Sequence, residues 1–277
     1  MRSRGPWAAI HQPNLFPGLS TLAKLYAADR WVILDDVQFV RRDYQHRCRV
    51  GPPGERDRHQ WLTLPVHLPH GRATFINDVT IVDPRTCQRR LEGMLTQHYG
   101  RTPYWRSVRD ALQEIVDLVG KTDRLDDIAV ASATVLLELV DWPGLAVRSS
   151  SYSVSDDRSR RLADLTEQVD ATTYVCGTGG ARYLDQSVFD DCGIDVLYCQ
   201  PPPVGVEALW TDQRRLTSIA ALSTHGPERV RAELQRAHLR LAASAADADH
   251  AISVRPAQDA ESASMSIGLD GQPPEYA

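Results

Sequence analysis

The sequence predicts an α/β fold built on a parallel sheet, and three observations carry that expectation. Residues 7–10 (WAAI) and 31–34 (WVIL) are apolar runs of strand length, separated by a polar loop and one amphipathic helix. Each run stops in chemistry, the first at His11-Gln12-Pro13-Asn14 and the second at Asp35-Asp36. Far downstream, residues 172–176 (TTYVC) read as a buried strand that passes directly into Gly177-Thr178-Gly179-Gly180-Ala181-Arg182-Tyr183. Parallel strands joined by a crossover helix bring their C-terminal ends side by side, so His11 and the aspartates are expected to face one crevice.

The remaining elements follow in order. Residues 38–49 are rich in long cationic and amide side chains, the composition of a solvated face. Residues 51–54 (GPPG) read as a turn, 61–66 (WLTLPV) as a strand, and 75–82 as another with partial alternation, together a β-rich insertion. From Pro84 the period becomes helical. Leu91, Met94, Leu95 and Tyr99 share one face, and Trp105, Val108, Leu112, Ile115, Val116 and Leu118 share the next. A third helix over 125–140 ends at Trp142-Pro143-Gly144, which makes 84–143 a helical cap inserted into the α/β pattern. A short strand over 146–149, a helix over 160–169 and a strand over 194–198 complete the alternation. Helices over 210–222 and up to Leu241 close an α/β domain spanning 7–235. The Ala, Ser and Asp rich stretch 242–277 is expected to be disordered.

Composition narrows the partners. A net charge of −5 and a pI of about 6.0 give no electrostatic case for nucleic acid. Five cysteines, Cys48, Cys87, Cys176, Cys192 and Cys199, form no CxxC pair, and their odd number fits a reducing cytoplasm. No stretch has the length of a membrane span, and Arg2 and Arg4 are followed by His11 before any signal-peptide core. A cytoplasmic protein with a small-molecule substrate, and without nucleic acid or membrane as partner, is the expectation.

Two constellations carry the chemistry. The first is His11, Gln12, Asn14, Lys24, Asp35, Asp36 and Gln38. An imidazole at a strand end suits acid–base work or stabilisation of a developing charge. Pro13 and Pro17 stiffen the loop that holds the polar groups. Asp35 and Asp36 point to opposite sides of an extended chain, so one of them is expected to share the site with His11, there to hold an ammonium, bind a magnesium ion or act as a base. Lys24 joins the set if its helix turns it toward the crevice. The second constellation is Gly177, Thr178, Gly179, Gly180, Arg182 and Tyr183. Small residues between strand and helix expose backbone N–H groups to an anion, and Arg182 adds a charge-assisted contact. The alternative is a tight turn that needs positive φ. Neither GxGxxG nor GxxxxGK[ST] is present. The cysteines lack a basic sequence neighbour and read as packing residues. No metal-ligand spacing of histidines is seen, and the metal requirement stays open.

The strings His11-Gln12-Pro13-Asn14-Leu15-Phe16-Pro17, Leu34-Asp35-Asp36-Val37-Gln38-Phe39, Gln45-His46-Arg47 and Gly177 through Asp185 together resemble the WbqC-like protein family. The resemblance covers about residues 8–230. It implies an enzyme of surface-polysaccharide (such as O-antigen) or specialised-metabolite biosynthesis. The recurrent polar positions of that family are matched here by His11, Gln12, Asn14, Asp35, Asp36, Gln38, Arg47, Gly177, Gly180 and Tyr183. His46 stands where the family often has Asn. The placement of the His-bearing and small-residue loops is also similar to the nucleotidylyltransferase and pantothenate synthetase type of Rossmann-like fold, although the HxGH signature is absent.

The expected activity is a transferase or ligase that joins an acyl or aminoacyl group to an amine of a small substrate. His11 would act as base or electrostatic stabiliser, Asp35 or Asp36 would hold the amine or a metal, and the Gly177 to Arg182 loop would hold an anionic donor. An acyl or aminoacyl carrier protein is a candidate partner, and ATP and Mg2+ are candidate cofactors. Nucleotidyl transfer on the same fold and non-catalytic binding of a small molecule are the alternatives.

Overall fold

A computed structural model describes residues 5–177, 179–200, 202, 208–212 and 214–253. The chain forms β1 (Trp7–His11), α1 (Leu19–Tyr26) and β2 (Arg30–Ile33). Two antiparallel pairs follow, β3 (Arg47–Val50) with β4 (Gln60–Thr63), and β5 (Val66–His67) with β6 (Thr80–Ile81). Three long helices, α2 (Pro84–Tyr99), α3 (Trp105–Lys121) and α4 (Leu125–Glu138), precede β7 (Leu145–Arg148), α5 (Arg158–Gln168), β8 (Thr173–Gly177), α6 (Gln186–Asp191) and β9 (Asp195–Cys199). The described chain closes with α7 (Ile219–His225) and α8 (Pro227–Ser253). Asp83 starts α2 by accepting the Thr86 N–H at 3.1 Å, with Pro84 in the first turn where no N–H is missed.

The main sheet is five-stranded and parallel, in the order β7-β2-β1-β8-β9. Side chains along its strands alternate between two cores. Trp7, Ala9, Trp31, Ile33 and Val175 enter one, with α1, the insertion and the long helices. Ala8, Ile10, Val32, Tyr174 and Cys176 enter the other, with α5 and α6. By the same period His11, two residues beyond Ala9, belongs to the α1 side. The fold is therefore α/β and Rossmann-like, as the sequence implies, with helices on both faces of the sheet.

Strand order decides where a ligand can enter. From β1 the chain turns to β2 on one side, while β8 later takes the other side of β1, and α1 and α6 cover opposite faces. The C-terminal edge of β1 and β8 is thus a topological switch point, the place where crossover loops diverge and leave a crevice.

Three local expectations need correction. Pro65, which has no N–H for a ladder, divides the expected 61–66 strand into β4 and β5. The expected 75–82 strand contains a 3-10 turn, Ile76–Asp78, before β6. Over 210–222 the structure has a 3-10 turn ending at Trp210 and only then α7. In addition, α8 continues past Leu241 to Ser253, so the stretch read as a disordered tail begins as helix. Its alanines are strong helix formers, which a reading of overall polarity overlooks. Residues 254–277 lie outside the described residues. Among the described residues no helix is long and apolar enough to cross a membrane.

Candidate functional site

The loop after β1 is clamped from three directions. Leu15 N–H donates to the Tyr44 carbonyl at 2.9 Å, Phe16 N–H to Ser132 Oγ of α4 at 2.9 Å, and Ser218 N–H and Oγ both donate to the Pro17 carbonyl at 2.9 Å. Phe16 itself sits at φ 42°, a left-handed conformation that an unsupported phenylalanine avoids. This support fixes Asn14, whose Nδ2 donates to His11 Nε2 at 3.2 Å. With Nε2 accepting, the neutral ring carries its proton on Nδ1. Burial and then the nearby Lys24 charge pull the His11 pKa well below its ordinary value, so the ring is neutral at pH 7. Gln12 accepts from Gln45 Nε2 at 2.6 Å.

Asp35 and Asp36 separate as the alternation argument requires. Asp35 is buried and turned toward β7, where it accepts from Arg148 Nη1 at 2.9 Å, Ser150 Oγ at 2.9 Å and Ser150 N–H at 3.1 Å. Burial raises its pKa, but the hydrogen bonds from Arg148 and Ser150 outweigh that and lower it overall. Arg148 also pairs with Asp126 and Asp127 in the first turn of α4, both at 2.6 Å. Asp36 instead faces a cleft. It is hydrogen-bonded to Ser149 Oγ and pairs with Arg161 Nη2 at 2.6 Å.

That cleft, about 860 Å³, opens at the switch point over the ends of β1, β2, β8 and β9. It brings together His11, Gln12, Lys24, Asp36, Gln38, Gly177, Gly179, Gly180 and Tyr183 of the expected set. Lys24 of α1 is buried, and its Nζ donates to the Ile10 carbonyl at 2.7 Å. Gln38 Nε2 donates to the Arg72 carbonyl, which ties β2 to the loop that carries Phe75. Three exposed apolar side chains, Val40, Phe75 and Tyr183, rim the opening.

In the glycine loop, close approach rather than positive φ accounts for Gly180 alone. None of Gly177, Gly179 and Gly180 is left-handed. A Cβ on Gly180 would sit 2.9 Å from Cys176 Sγ, and one on Gly177 would meet the Lys24 side chain at 3.4 Å. Nothing within 4 Å accounts for Gly179. Thr178 lies outside the described residues.

Several residues are placed elsewhere. Asn14 supports His11 from behind and does not line the cleft. Arg182 is exposed and not among the lining residues. Arg47 belongs to β3, where its guanidinium and that of Arg49 lie 4.2 and 4.5 Å from the Trp61 ring centroid. The positive wall of the cleft is built instead by Arg158, Arg161 and Arg214, which sequence reasoning missed. Arg158 and Arg161 are three apart at the start of α5 and so share a face, a signal visible in the sequence once that helix begins at 158. Arg161 Nε is buried without a hydrogen-bond partner in the described structure. Arg158 lies over the Tyr183 ring at 5.4 Å. Among the described residues no group of three or more His, Cys, Asp and Glu side chains gathers to hold a metal ion. Burial raises the pKa of Cys176 and of Cys199 despite the neighbouring Lys24, which keeps both as thiols.

Sheet order and cleft define an α/β protein with a polar, cation-lined cleft at its switch point. The chain belongs to the WbqC-like protein family, whose model matches residues 12–231. It is 26% identical over 193 residues to Rv1507c of Mycobacterium tuberculosis, named as an uncharacterized protein, covering 69% of this chain and 80% of that one. No solved structure matches significantly.

Proposed function

We propose that the protein is a transferase or amide-forming ligase that joins an acyl or aminoacyl group to an amine of a small substrate in surface-polysaccharide or specialised-metabolite biosynthesis. The observation that carries this reading is the pairing, in one cleft, of a neutral imidazole with an acidic and a cationic wall. Arg158, Arg161 and Arg214 suit the carboxylate or phosphate of a donor. Asp36 is the carboxylate that faces the acceptor ammonium, and Asp35 is a structural ion-pair residue. His11, neutral and with its proton on Nδ1, suits hydrogen-bond donation to a carbonyl oxygen as negative charge develops there. Val40, Phe75 and Tyr183 offer apolar surface for the rest of the substrate.

The test is incubation with amino-sugar acceptors and, in separate reactions, acyl or aminoacyl thioesters or a carboxylate with ATP and Mg2+, followed by mass spectrometry for a new amide. An amide whose formation falls about a hundredfold in His11→Ala supports the reading. No amide with any donor, or full activity in a folded His11→Ala protein, overturns it. The cationic wall also favours a second reading, nucleotidyl transfer, because the same arginines suit a triphosphate. Pyrophosphate release with formation of a nucleotidyl product, and no amide, would establish that reading instead.

A further inference from the structure

Two of the chain's 31 basic residues are lysines, Lys24 and Lys121. Lys121 ends α3 in solvent, whereas Lys24 is buried at the floor of the cleft. Elsewhere, the cleft included, positive charge is carried by arginine. An anchor for an anion is well served by arginine, and the cleft already has three. A group that must gain and lose a proton near neutral pH is not, because a guanidinium stays charged.

The surroundings of Lys24 fit that distinction. No carboxylate pairs with it in the described structure, and its Nζ is held by the Ile10 carbonyl one residue before His11. The titratable groups that act on it are His11 at the end of β1, Cys176 on β8 and Cys199 on β9, with Asp36 and Arg161 as the charged pair on the cleft wall. Gly177 of β8 lies beside the aliphatic stem of Lys24. A buried ammonium without an anionic partner costs stability, so a purely structural role would be better filled by Leu or Met.

We infer that Lys24 is the proton acceptor of the cleft, taking a proton from the acceptor's ammonium group to free the amine that attacks the acyl carbon. This deepens the proposed amide-forming reaction and rests on it. The ammonium loses one proton to the neutral Nζ, and the freed amine forms the C–N bond as the bond from the acyl carbon to its leaving group breaks. The leaving group departs with the proton returned by Lys24, and the second proton of the adduct nitrogen passes to the regenerated Nζ and from there to solvent. Desolvation brings the Lys24 pKa down to about 8, partly opposed by Cys176 and Cys199, so a neutral fraction exists at physiological pH. His11, held well below its ordinary value, is too weak a base for an ammonium and is left to stabilise the developing oxyanion.

Trace acetylation of the native full-length protein with isotopic acetic anhydride across pH 6 to 11, read by peptide mass spectrometry against a free lysine derivative in the same tube, tests the amine without any substrate. Half-maximal labelling of Lys24 near pH 8 is expected, more than one pH step below the free amine. Labelling that follows the free amine, or that appears only after unfolding, overturns the inference. In the amide assay, a folded Lys24→Arg protein should lose about a hundredfold at every pH. Activity retained in Lys24→Arg would make Lys24 a mere cation and also overturn it. If the wild type forms no amide, the proposed reaction fails, whereas the labelling result still judges the free amine by itself.

Discussion

Asp35 and Arg148 form a 2.9 Å ion pair that joins the end of β2 to the end of β7. Because Arg148 continues to Asp126 and Asp127, the pair ties two strands of the sheet to the start of α4. Neutralising Asp35 removes a buried carboxylate from this network and the hydrogen bonds it accepts from Arg148 and Ser150, while Arg148 keeps Asp126 and Asp127. Asp35→Asn is therefore expected to destabilise the fold by about 2–4 kcal/mol. Asp36→Asn, at a more exposed pair, should cost less stability and mainly impair turnover. Urea denaturation of both variants checks the contrast, and equal destabilisation would contradict it.

Lys24 should cost the fold stability at neutral pH. Its folded pKa of about 8 lies below the ordinary 10.5, so the unfolded chain binds more protons between those values and stability rises with pH across that window. Below pH 8 the full cost of the buried charge is present, at most about 3 kcal/mol. Lys24→Met removes that cost but leaves the Ile10 carbonyl without its donor, about 1 kcal/mol in the other direction. A higher Tm for Lys24→Met at pH 7, with the advantage gone by pH 10.5, is the expected outcome of thermal melts.

His46 gives stability the same direction of pH dependence at acid pH. Burial, then Arg47 and Arg41, bring its pKa down to about 4. Below about pH 6.5 the unfolded chain takes up a proton that the folded chain refuses until about 4, so stability is lost as pH falls through that range. His46→Asn should flatten the decline in Tm between pH 6.5 and 5 relative to wild type. An unchanged slope would show that His46 is not responsible.

Gly180→Ala should push its new methyl against Cys176 Sγ, which lies 2.9 Å from the Cβ position. A loss of about 1–3 kcal/mol is expected, and Cys176→Ala in the same chain should recover part of it. A double-mutant cycle measures the coupling, and strictly additive effects would remove the close approach as the reason for glycine here.

Arg47→Ala is expected to lose its stack on Trp61, about 0.5–1 kcal/mol, with turnover unaffected. An activity loss beyond that explained by stability would bring Arg47 back into the site.

What the sequence determined by itself was periodic or local. Runs of strand length marked β1, β2 and β8, the change of period at Pro84 marked the start of α2, and the paired aspartates had to diverge because successive side chains in an extended chain do. The endings of the strands placed His11, one of the two aspartates and Gly177 near one another once the strands were parallel, and left to the structure which aspartate it is. What only the tertiary structure decided was long-range. That β8 lies on the far side of β1 from β2 makes the switch point, and no local pattern specifies strand order. Lys24 is an ordinary helix lysine in sequence, and becomes a buried amine because α1 packs against β8. Arg158 and Arg161 form the positive wall in place of Arg182 because α5 begins beside Asp36, 125 residues away in the chain for Arg161. Charge, burial and pKa in this cleft are properties of that convergence, and they arise where segments distant in sequence exclude water together.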